Sequence, residues 1–359
     1  MNTVTTTFNL PDSIAQPLGK GTYERVGGII RDTQTKQVVC WLRETNADTL
    51  LSFNPVTPVL GLLNLGVSTL TLAVSISGFH RINKRLDKIE NDLQYIKKTL
   101  WKNHQELVKK IEFSHYTNFK AALILANNAF TMSNIENCKA SAMQAINRFL
   151  EAEEYYSAYL DEDLHSQGRV IDEYLETLTL AYLAEIRCYL KLEEIPTAYS
   201  RLQEAEKLLK SKFQEYIKIL LTSNPAAYLH PDLKEQISLT RLTNIYRWFN
   251  NSIDENYVYE KLRQDLFKIA YKPEDWKNSL PQAVWKHIIY EGYPRTFLQL
   301  TKLMEKIEFI IETHRRIIGY HMELETMMHL NISFAEWNNL IREEKIKSEN
   351  VQLMYIIPG

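Results

Sequence analysis

From Thr49 to Phe79 the chain carries no charge, and from Arg81 onward it is densely charged while keeping one apolar stripe. One seven-residue register runs through both halves: Leu65, Leu72, Phe79, Leu86, Leu93, Leu100 and Leu107. Offset by three lie Gly61, Ser68, Ser75, Ile82, Ile89, Ile96 and Asn103. A sustained seven-residue repeat keeps one seam of a helix facing a partner. The chain is thereby committed to long helices, and its scarcity of glycine and proline, 11 of each in 359 residues, agrees. The expected fold class is mainly α: an elongated helical bundle with long coiled-coil-like helices and a small N-terminal β-hairpin.

Pro55 and Pro58 suit a helix start, and the 21 residues from Val59 to Phe79 follow them. At 1.5 Å per residue they would span about 31 Å, enough to cross a bilayer core. Leu60, Leu63, Val67, Leu70, Val74 and Ile76 are the side chains expected to enter lipid. Gly61, Asn64, Ser68, Thr71, Ser75 and Gly78 follow a three-four spacing and form one small, polar stripe. In lipid such a stripe serves close helix packing or a wet pore lining; in a soluble bundle it admits a close neighbour. The apolar side chains favour insertion by roughly 3 to 6 kcal/mol. The glycines, Asn64 and the hydroxyl residues oppose it, which suits a segment that is either hidden or inserted.

Beyond the apolar end, Arg81, Lys84, Arg85 and Lys88 would lie on the cytoplasmic side or meet anionic headgroups. The expected oligomer seam is Ile82, Leu86, Ile89, Leu93, Ile96 and Leu100. With Leu at a and Ile at d, a parallel coil prefers more than two strands, and Asn103 would fix register. An antiparallel partner within the same chain satisfies the seam equally well.

Upstream, residues 1 to about 18 are polar and Thr-rich and read as a loose arm. Tyr23 to Arg43 reads as one β-hairpin. Val26, Ile29 and Ile30 precede a polar turn from Asp32 to Lys36, and Val38, Val39, Trp41 and Leu42 follow it. Gly27 and Gly28 mark a bulge or a close backbone approach; no phosphate-cradling motif surrounds them. The run from Tyr23 through Gly27, Gly28, Ile30 and Arg31 to Leu42 and Glu44, then an apolar helix and a coil, resembles a widespread, uncharacterised group of bacterial proteins. That resemblance covers about the first third of the chain and implies no activity. The longer layout, an apolar segment with long amphipathic helices, is similar to that of α-helical pore-forming toxins.

Five regions follow: 1–55 arm and hairpin, 56–79 apolar helix, 80–115 coil, 116–221 helical hairpins, and 222–359 C-terminal helices with a long helix at 294–329. Four amphipathic helices are expected from Tyr116 to Leu221. The last two resemble a tetratricopeptide-like hairpin, with Tyr182, Tyr189, Ala198, Leu202 and Ala205 at its packing positions. Ile186 departs from that repeat, and no clean second copy is present, so bundle packing is the preferred reading. The long helix has the stripe Leu300, Leu303, Ile307, Ile310, His314, Ile317, His321, Leu324 and Met328, and is the expected internal partner of the coil. Val351 to Ile357 reads as a short terminal strand that pairs with the N-terminal hairpin.

His314 and His321 interrupt an apolar stripe, so acid could loosen that seam and release the apolar segment. No metal, cofactor or catalytic pattern is visible. Glu151, Glu153, Glu154 and Asp161 to Asp163 read as solvated surface. Near-neutral charge, 42 Lys and Arg against 44 Asp and Glu, gives no case for nucleic acid. Cys40, Cys138 and Cys188 fit a reducing compartment. The expectation is a non-enzymatic, membrane-acting effector, toxin-like or defence-related. It would be cytoplasmic, associated conditionally or permanently with the inner membrane, with lipid, copies of itself and a protein as partners. The alternative is a soluble helical scaffold that binds a protein through its hairpins.

Overall fold

The computed structural model describes residues 10, 12–44, 106–163, 168–221, 225–272, 297–337 and 353–356. The apolar segment 56–79 and the seam from Ile82 to Leu100 lie outside these residues.

The expected loose arm is corrected by α1, Asp12–Gly19. Its Ile14 is buried in a small core with Ile30, Cys40 and Leu42, and that burial orders it. The helix closes when the Thr22 N–H donates to Pro17 O (3.0 Å) and the Gly21 N–H to Leu18 O (3.2 Å). Gly21, at φ +77°, supplies the left-handed residue this closure requires.

Three strands follow: β1, Tyr23–Val26; β2, Ile29–Asp32; and β3, Val38–Glu44. The single expected hairpin is therefore two. Val26 pairs with Ile29, so Gly27 and Gly28 are themselves a two-residue turn, and Gly27 has φ +56°. In the second turn the Asp32 carboxylate accepts from the Gln34 and Thr35 N–H groups, both at 2.8 Å. The terminal strand is present as β4, Leu353–Ile356, antiparallel to β3 with Trp41 opposite Ile356. The sheet order is β1-β2-β3-β4, which joins the two ends of the chain in one sheet.

Helices α2 (Glu106–Thr131), α3 (Ile135–Asp163), α4 (Gly168–Lys191) and α5 (Ile195–Leu221) pack in sequence, each on the next, with α2 also touching α4. The boundary expected between coil and hairpins at 115/116 falls inside α2. Small residues let α2 and α3 approach closely: Ala122, Ala126 and Ala129 are buried, as are Ala142 and Ala145, with Phe119 against Phe149. In α4 and α5, Tyr182, Ile186, Ala198, Leu202 and Ala205 are core. The α4–α5 turn closes on Glu193 at φ +60°, an unusual residue for that conformation.

After two 3₁₀ segments, Pro225–Leu229 and Pro231–Leu233, come α6 (Leu239–Phe249) and α7 (Glu255–Tyr271). Ser238 caps α6 by accepting from the Arg241 N–H at 3.1 Å, and Asp254 caps α7 by accepting from the Tyr257 N–H at 2.8 Å. The long helix α8 is Phe297–Leu330, close to the expected span. It packs on α5 and also meets α6, β1 and the turn at Pro231–Leu233. Its pairing with the upstream coil lies outside the described residues. One continuous core runs from Val26 and Ile29 of the sheet through α2 to α8 and on to Trp337.

Candidate functional site

The middle of α8 is where the sheet, α5 and α6 converge. The hairpin tip rests on its backbone: a Cβ built on Gly27 would lie 2.7 Å from Arg315 O and from Arg316 Cα. One turn on, a Cβ built on Gly319 would lie 3.6 Å from Gly28 N and Val26 O, an ordinary contact distance. The close backbone approach anticipated at Gly27 is thus found, and its partner is a helix 288 residues downstream. Arg25 fastens the rim, donating to Gly27 O at 2.8 Å and to both Glu312 carboxylate oxygens at 3.1 Å.

His314 lies one residue before this contact and is 3% exposed. Its Nδ1 accepts from the Trp248 indole N–H at 3.1 Å, with the rings edge to face. Burial lowers the imidazole from 6.5 to about 4, Glu206 opposing the shift and Lys210 and Arg315 adding to it. His321, two turns on, is half-buried, 3.4 Å from a Glu206 carboxylate oxygen and against the Tyr199 ring. The hydrogen bond with His321 holds Glu206 below the usual carboxylate range. The two histidines therefore share one acidic neighbour on α5.

A second polar cluster lies between α3, α4 and α5, and it corrects the reading of Glu153 as surface. Glu153 is 3% and Glu185 0% exposed. Arg201 donates to Glu185 at 2.8 and 3.1 Å and to Glu153 at 2.5 Å, and pairs with the exposed Glu204. Its guanidinium lies over the Tyr182 ring. Burial, and then the neighbouring Glu185, push Glu153 up to about 10. Burial thus favours the neutral form of Glu153 beside Glu185, and one guanidinium clamps the pair. Glu151, Glu154, Asp161 and Glu162 are exposed as expected. The signal for Glu153 was its place among Phe149, Ala152, Tyr156 and Leu160, a buried three-four row.

Two further ties hold the stack. Asp172 on α4 accepts from the Tyr216 hydroxyl of α5 at 2.7 Å and from Lys306 of α8 at 2.5 Å. At the far end, the Arg187 guanidinium lies over the Phe130 and Phe334 rings. There the Phe334 N–H donates to Glu193 at 2.8 Å, which explains why a glutamate occupies the left-handed turn position. Ser333 and Glu336 form a reciprocal cap at 2.7 and 3.1 Å.

Among the described residues no helix is long and apolar enough to cross a membrane, and no cluster of histidine, cysteine and acidic residues is placed to hold a metal. Of the residues expected to act on the membrane, form the oligomer seam or sense pH, His314 and His321 fall within them. The six expected lipid-facing residues, the polar stripe and the seam do not. In comparison with known proteins, no family, curated protein or solved structure matches the chain.

Proposed function

We propose that this chain is a membrane-acting α-helical effector, whose apolar segment inserts into lipid and whose heptad stretch assembles several copies. The observation that carries the reading is the charge-free run from Thr49 to Phe79 passing in one register into the heptads. The folded body is compatible with it. Phe119 of α2 lies in the main core of the described residues, and Val38 of β3 packs against that core. Insertion of such a segment would dissipate gradients without chemistry.

The test is dye release from anionic liposomes by the full chain, beside a variant carrying Leu70→Arg and Val74→Arg. Each arginine at mid-membrane costs roughly 2.5 to 3.5 kcal/mol. Release by the wild type, lost in the folded variant, supports the reading; no release in any lipid or at any pH removes it. The runner-up, a protein-binding scaffold, has one observation in its favour. Ile124, Ile135, Met143 and Leu150 are exposed on α2 and α3.

A further inference from the structure

We propose that His314 is an acid-sensitive latch: protonating its imidazole breaks the hydrogen bond from Trp248 and frees α6 from α8. An indole N–H only donates, and an imidazolium has no acceptor. The 3.1 Å contact therefore exists only while His314 is neutral, with its proton on Nε2. Adding a proton at Nδ1 points two N–H groups at each other inside the core. His314 is buried, so no surrounding solvent takes over the lost bond.

The charged surroundings are those of a group held neutral. From α5, Glu206 and Lys210 act on His314 with opposite signs, and from its own helix Arg315 opposes a second positive charge. Glu206 already accepts from His321. From α6, Arg241 is engaged with Glu308 and Arg247 with Ile253 O. From the hairpin, Arg25 is taken by Glu312. The 3₁₀ turn at Pro231–Leu233 is flanked by His230 and Lys234. Among the described residues Glu206 is the anion acting on His314, and His321 competes for it. The latch belongs to the folded body and stands whether or not the chain acts on membranes.

An imidazole at about 4 in the closed body and 6.5 when released makes opening roughly twentyfold more favourable at pH 5 than at pH 7. The experiment follows the Trp248 indole N–H resonance of the full chain, assigned through Trp248→Phe, together with the His314 ring and α6 amide exchange corrected for intrinsic rate, from pH 7.5 to 3.5. The expected result is that all three change with one midpoint. His314→Asn, whose carboxamide oxygen still accepts but does not titrate, should abolish the transition, and His321→Gln should keep it. The proposal is overturned if His314 titrates with the indole signal unmoved, if nothing titrates above pH 3.5, or if the transition persists in His314→Asn. Should that variant not fold, the shared or separate midpoints in the wild type decide.

Discussion

Gly27 is pressed against the backbone of Arg316, with no room between them for a methyl group. The contact fixes the N-terminal sheet on α8, and through Arg25 and Glu312 it has a charged rim. It depends on the absence of a side chain at Gly27 and not at Gly319. Gly27 has φ +56°, where an L side chain is strained, and its Cβ would collide with main chain that cannot move. Gly319 lies in a helix, and its Cβ would meet only ordinary contacts at 3.6 to 3.9 Å.

Two alanine substitutions should therefore act in opposite directions. Gly27→Ala is expected to destabilise by at least about 2 kcal/mol, from left-handed strain plus the clash. Gly319→Ala should be neutral or stabilise by up to about 1 kcal/mol, because alanine is the better helix former. Urea unfolding of both variants measures this; equal effects would remove the account of the contact.

Asp172 sets up a rescue experiment. Lys306 is 9% exposed and has its charge matched by Asp172, which also takes the Tyr216 hydroxyl. Asp172→Asn keeps an acceptor for Tyr216 but leaves the ammonium unpaired, and should cost about 2 to 4 kcal/mol. Lys306→Met in that background should recover most of the loss, since the uncompensated charge goes with it. A double variant no better than the single one would place the cost elsewhere.

Glu153 gives a pH prediction of definite sign. Its carboxyl is raised to about 10 in the folded chain against an ordinary 4.5, so above pH 4.5 the unfolded state releases a proton that the folded state keeps. The contribution of this group is full below pH 4.5 and is lost as pH climbs toward 10. Glu153→Gln keeps the neutral shape without the proton. It should be more stable than wild type at pH 8 by at least about 1 kcal/mol, with the difference vanishing near pH 4. Unfolding curves at both pH values check it. Glu185→Gln should not behave this way, since Arg201 then loses its fully buried anion.

The contrast between these residues shows what the sequence makes legible. The apolar rows of α4, α5 and α8 are periodic, and periodicity alone placed those helices. The glycine pair announced a close approach because only glycine tolerates one. Which surface it approaches was hidden, since nothing in Gly27 points to Arg316 far downstream. The role of Glu153 was misjudged because a run of three glutamates in four residues looks like solvent. Its burial depends on Arg201, a turn and a half into another helix. α1 was missed for a related reason: a short polar helix with an internal proline is ordered by the pocket that Ile30, Cys40 and Leu42 form around Ile14, which local propensity cannot show.

The proposed function leads to a prediction about stability as well as leakage. If the apolar segment were core, arginines at 70 and 74 would be buried charges without partners, and the chain would lose several kcal/mol. If instead the segment inserts into lipid and takes no part in the core, Leu70→Arg with Val74→Arg should act like surface changes, within about 0.5 kcal/mol, and move the melting midpoint by no more than about 2 °C. Thermal unfolding of the lipid-free full chain measures it. An unchanged midpoint together with lost dye release ties the segment to membranes and not to the fold. A large drop in the midpoint assigns it to the core and moves the function to the scaffold reading.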